Sequence, residues 1–138
     1  MSASASLIPE LEDVIQNGTQ EKRAVTIKRI ANLFIDGATH FNEEHIGLFD
    51  DVFCRLVAEI EIKVRAEMSH ALAPISNAPT ELMRTLARDD DISVAGPVLK
   101  QSSRLKEVEI VELAKTKGQA HLAVIAGRQG IGEAITDV

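Results

Sequence analysis

The chain has no tryptophan and no tyrosine, and only four phenylalanines in 138 residues. Strands draw on aromatic and β-branched residues, whereas this sequence is rich in Ala, Leu, Ile, Glu, Lys and Arg, which favour helix. An all-helical fold is the expectation. Cysteine is almost absent too: Cys54 alone excludes an internal disulfide framework and fits a reducing compartment. No stretch of about 18 uninterrupted apolar residues exists, so nothing reads as a membrane span. The start, Met1-Ser2-Ala3-Ser4-Ala5-Ser6, lacks the basic opening and long apolar run of a secretion signal. A cytoplasmic location with no membrane partner is expected.

A strong positive field is also missing. The net charge of −6 makes nucleic acid an unlikely general ligand. The acid is unevenly placed. Residues 1–83 carry 7 Lys or Arg against 13 Asp or Glu, and residues 84–138 carry 8 against 8. No Ser/His/Asp or Cys/His set is arranged for catalysis, so neither an enzyme nor a cofactor is expected.

What is present is helical punctuation. Apolar residues make up 45% of the chain, enough for a real core. A short helix with Leu11, Val14 and Ile15 inward should stop at Asn17-Gly18. Thr19 then caps a second helix with Ala24, Ile27, Ala31 and Phe34 inward, ending at Asp36-Gly37. Asn42 caps a third, whose Ile46, Phe49, Phe53, Leu56 and Ile60 form a heptad-like stripe. That pattern continues through Val64 toward Leu72, so the spacing predicts one element of more than about 25 residues, or a break near Ser69-His70. The stripe suits packing on the first two helices or on a second copy of the chain, so a homodimer is one expectation.

From Asn77 the pieces shorten: Glu81 to Arg88, Ile92 to Gln101, Glu107 to Lys115 and Gln119 to Ala126. Gly96-Pro97 inside the second of these predicts a kink, or a helix that begins near Gly96. Leu86-Ala87-Arg88 followed by Ala95 and Val98 matches Leu113-Ala114-Lys115 followed by Leu122 and Ile125 at an offset of 27 residues. Each copy reads as helix, polar turn, helix, the unit that buries its apolar face by stacking on a neighbour. Two parts of one structural unit are expected: a long-helix bundle over 1–76 and a repeat segment over 77–138. Ala134 and Ile135 begin an apolar face that stops at Val138 without a polar cap, as in a segment of a longer chain.

The runs Ala78-Pro79-Thr80-Glu81-Leu82, Leu86-Ala87-Arg88-Asp89-Asp90-Asp91-Ile92 and Val94-Ala95-Gly96-Pro97-Val98-Leu99 resemble a bacterial family catalogued as a domain of unknown function. So do Gln119-Ala120-His121-Leu122-Ala123-Val124-Ile125-Ala126 and Ala134-Ile135-Thr136-Asp137. The resemblance covers about residues 60–138. It implies a HEAT-like helical repeat, an α-solenoid, in a usually longer protein, and it supplies no catalytic residue.

Several polar groups could carry function. Asp89-Asp90-Asp91 reads as a turn and helix cap, because it lacks the spaced ligands and glycine of a calcium loop. His40, Glu43, Glu44 and His45 lack the third histidine or cysteine that zinc would want. Gly127 to Gly132 has the wrong spacing for a phosphate loop and no preceding strand. Cys54 reads as a small core residue. His121, in an otherwise apolar helix, suits a ring bonded to a neighbouring carbonyl, or a group at a groove. Arg84, Arg88, Arg104, Lys106, Lys115, Lys117 and Arg128 fall at helix ends and turns and could line one basic edge. Two functions are therefore expected. One is a scaffold or protein-interaction module whose partner is another protein or the rest of its own longer chain. The other is a binder of a phosphate-bearing ligand or nucleic acid, using Arg84, Arg88, Arg104, Lys115, Lys117, His121 and Arg128.

Overall fold

A computed structural model describes residues 13–128. Over that range the chain is all-helical, with no strand. Residues 13–17 are helical and end at Gly18. They are followed by α1 (Gln20–Gly37), a 3-10 turn (Ala38–His40), α2 (Glu43–Val57), α3 (Ile62–Leu72), α4 (Thr80–Ala87), α5 (Ile92–Gln101), α6 (Glu107–Thr116) and α7 (Gln119–Ala126). No helix among the described residues is long and apolar enough to cross a membrane.

Local chemistry starts several of these helices. The Thr19 hydroxyl accepts the Lys22 N–H to open α1, the Asn42 side chain accepts the His45 N–H to open α2, and Asp91 accepts from Ser93 to open α5. Pro97 sits inside α5, which nonetheless begins at Ile92 and not near Gly96.

The stripe on the third predicted helix takes a different course. The buried positions continue through Val64 to Leu72, but the helix does not: α2 ends at Val57 and α3 starts at Ile62. No glycine or proline breaks the chain at 58–61. Instead Arg65 Nη1 donates to the Ile60 carbonyl at 2.6 Å, and Ile60 turns into the core with 4% exposure. Tertiary contact overrides helix propensity here. Ile46, Phe53, Leu56 and Ile60 are all buried in this chain's own core, with Phe49 partly buried against it.

The four phenylalanines form one cluster. Phe34 on α1 lies 5.2 Å from Phe49 and 6.2 Å from Phe53 on α2, both near edge-on, and Phe41 lies 5.0 Å from Phe49. Gly37 permits this, because a Cβ there would stand 2.6 Å from the Phe41 ring.

Alternate helices are neighbours. The most extensive contact is α3 on α5; α5 also packs on α7 and α1 on α3, while α2 packs on α4 in a second row. α1–α2, α3–α4, α4–α5 and α6–α7 contacts join the rows. One buried cluster runs from Ile27 to Ile125. The helix starts repeat at 27 residues, from Thr80 to Glu107 and from Ile92 to Gln119. Burial repeats with them: Met83 and Ile110, Leu86 and Leu113, Ala87 and Ala114, and Val98 and Ile125 are all buried.

The short helices borrow their caps. Pro79 has no side chain to cap α4, and Asp50 on α2 does so instead. Its Oδ2 accepts the Glu81 N–H at 2.9 Å and its Oδ1 accepts the Leu82 N–H at 2.8 Å. At other helix ends, Arg23 donates to the carbonyls of Val14 and Ile15, and Arg104 donates to Ala78. Asp50→Ala should therefore lower stability to urea by about 2 kcal/mol and Asp50→Asn by about 1, while the exposed neighbour Asp51→Ala stays within about 0.5 kcal/mol.

Candidate functional site

The basic residues expected to form an edge are mostly committed elsewhere. Arg84 Nε donates to Glu109 at 2.6 Å and its Nη1 to Glu81, and the Glu109 hydrogen bond raises the guanidinium pKa. Arg104 Nη2 reaches both oxygens of Glu43, at 3.2 and 3.1 Å. Lys117 pairs with Asp90 and holds that carboxyl below its usual range. Arg128 Nη1 donates to the Leu99 carbonyl at 2.6 Å and its Nη2 to the Ser102 carbonyl, so it closes the C-terminal end of α5. Burial lowers the Arg128 pKa, because desolvation disfavours the charged form. Among the described residues, Arg88, Lys106 and Lys115 have no ion pair or side-chain hydrogen bond. Arg84, Arg104, Lys117 and Arg128 are thus each committed to a partner within the chain.

His121 is 5% exposed, in the place that the buried Val94 takes in the preceding helix pair. Its Nε2 lies 2.9 Å from the Asp89 carbonyl oxygen. A carbonyl can only accept, so Nε2 carries the proton and the ring ties α7 to the end of α4. The acidic run is divided in the same way. Asp89 pairs with Arg65 at 3.0 Å, Asp90 with Lys117, and Asp91 caps α5, with its pKa lowered by the Ser93 hydrogen bonds. Glu43 belongs to Arg104, and the His45 ring accepts the Asn42 N–H. Among the described residues, no group of three or more His, Cys, Asp or Glu side chains could hold a metal ion. The glycine-rich stretch beyond Arg128 lies outside the described residues.

Two concavities remain. One, of about 270 Å³, is lined by Cys54, Val57, Ala58, Arg65, Thr85, Leu86 and Asp89. Burial, reinforced by the Asp50 carboxylate, pushes the Cys54 thiol up to about 12. Its charged lining is already paired, and its thiol stays protonated at neutral pH.

The other, of about 240 Å³, is a groove between α4 and α6. Ala87, Leu105, Val108 and Leu113 make it apolar, and Val108 is 72% exposed. Two rungs of charge cross it. The Arg84–Glu109 pair bridges the walls. One turn further along each helix, Arg88 and Glu112 also line the groove, but they do not pair. Burial would raise the Glu109 pKa; the Lys106 N–H and Arg84 outweigh it, and the net shift is downward.

Sequence reasoning named Arg84 and Arg88 but missed Val108, Glu112 and Leu105. A signal was there: Ile110, Leu113 and Ala114 mark the buried face of α6, and Val108 lies off it.

A family model described as "Uncharacterised protein conserved in bacteria (DUF2336)" matches residues 94–138. The match starts inside α5 and takes in the α6 wall of the groove, whereas the resemblance expected from sequence began near residue 60. No curated protein and no solved structure matches the chain.

With its pKa moved from 9.0 to about 12, Cys54 should alkylate with iodoacetamide at pH 8 about a thousandfold more slowly in the folded chain than in urea, measured by mass spectrometry. The depressed Glu109 pKa contributes stability that is full above the ordinary value of 4.5 and is lost as pH falls through the lower folded value. Melting temperature should therefore drop less between pH 6 and pH 3 in Glu109→Gln than in the unchanged protein.

Proposed function

We propose that this chain is a non-catalytic protein-interaction module, a HEAT-like run of helix pairs that holds a segment of another protein, or of its own longer chain, in the α4–α6 groove. The groove itself carries this reading: an apolar floor, an exposed valine on its wall and charged groups along its rim. Scattered exposed apolar residues are ordinary on any surface. Val108 differs because it borders a concavity. At about 240 Å³ the groove is smaller than the roughly 300–1,000 Å³ usual for small-molecule pockets and open along its length, which suits one or two side chains of a protein partner.

The 27-residue recurrence of helix starts and buried positions supports the repeat reading. So do the long-range polar ties, many of which span one repeat: Arg84 to Glu109 at 25 residues, Arg104 to Ala78 at 26, and Lys117 to Asp90 at 27. In this reading the helices before residue 76 form the starting end of the array. The internal pairing of Arg84, Arg104, Lys117 and Arg128 favours a protein partner over a phosphate-bearing one.

A photo-crosslinking residue placed at position 108 in the producing cells should give a discrete adduct. The same residue at Leu33, also exposed, at 57% on α1, should not. Identical adduct patterns from both positions, or none from position 108, would overturn the proposal.

A further inference from the structure

The unpaired rung of the groove specifies what fits it. Arg84 and Glu109 meet across the walls at 2.6 Å. Arg88, one turn beyond Arg84, and Glu112, one turn beyond Glu109, line the same groove with no ion pair. The wall on α4 therefore offers a free cation, the wall on α6 a free anion, and the apolar side chains of Val108 and Leu113 lie along the groove with them. α4 has 8 residues, so this stretch is about 12 Å long and accommodates only about two turns of an occupant.

Resting on the interaction reading above, we infer that the occupant is a short helical segment of a protein partner that inserts one aliphatic side chain, flanked by a carboxylate on the α4 side and an amine or guanidinium on the α6 side. A segment with acid on both flanks would leave Glu112 facing a like charge, and one with base on both flanks would do the same to Arg88. An uncharged segment would leave both groups without partners as water is excluded from the rim. The charge order also sets direction: of the two ways to lay such a helix in the groove, only one places unlike charges together on both sides. This is the arrangement by which flanking charges choose partner and orientation in paired helices, with the apolar residue supplying contact.

The probe is a fluorescent alanine-based helical peptide with the face Glu-x-x-x-Leu-x-x-x-Lys. Positions four apart step about 40° around a helix, so acid and base lie on opposite flanks of the leucine. Two further peptides carry Glu at both flanking positions or Lys at both, and a fourth replaces leucine with alanine. By fluorescence anisotropy in low salt, the unchanged protein should prefer the mixed-charge peptide over either single-sign peptide about fivefold, as a rim ion pair exchanged for a like-charge contact allows, and should bind the alanine peptide most weakly. The variant E112R, checked for an unchanged melting temperature, should instead prefer the peptide with Glu at both positions. Equal binding of the mixed and single-sign peptides by the unchanged protein, a preference that E112R does not shift, or no binding above the alanine peptide overturns the inference. If crosslinking at position 108 still gives its adduct in those cases, the groove retains its interaction role and only the charge assignment fails.

Discussion

Short helices impose the constraint that the rest of this structure meets. Each helix leaves four N–H groups and four carbonyls without internal partners, and α4 and α7 have only 8 residues apiece. In such elements a large share of the backbone belongs to an end. The chain satisfies several of those ends from a distance: Asp50 opens α4, Arg128 closes α5, and His121 holds the carbonyl just beyond α4. Helix ends are thus also contact points between successive helix pairs, so that capping and stacking are one set of interactions.

This economy explains the electrostatic character of the surface. A run of Arg and Lys at helix ends invites a reading as an anion-binding edge, since helix C-termini and cations occur together for both reasons. Charge-assisted bonds to buried carbonyls and carboxylates are stronger than contacts to water-exposed ligands. Arg128 therefore belongs to α5, Arg104 to the Ala78 carbonyl and Glu43, and Arg84 to Glu109. Arg88 is left outward-facing beside an apolar groove.

At the other end of the chain, aromatic packing performs the equivalent task. The four phenylalanines bring α1, the turn after it and α2 together in a single cluster. Gly37 leaves room for the Phe41 ring. From that base the buried cluster continues through aliphatic residues alone to Ile125, with Ser69 joining α3 to α5 through the Val94 carbonyl.

The sequence by itself determined the elements from α4 onward, the caps at Thr19, Asn42 and Asp91, and the 27-residue recurrence, because these rest on local turn chemistry and helical periodicity. For His121 it offered a ring bonded to a carbonyl or a group at a groove, and the ring meets the Asp89 carbonyl. Only the tertiary structure decided where α2 ends, since the break at 58–61 has no local breaker and depends on Arg65 taking the Ile60 carbonyl. It alone decided which cations are paired across the fold, because Arg84, Arg104, Lys117 and Arg128 each have a partner 25 to 61 residues away. The groove has the same origin. Val108 and Arg88 line one groove because α4 and α6 flank it, and spacing along one helix carries no record of its neighbour.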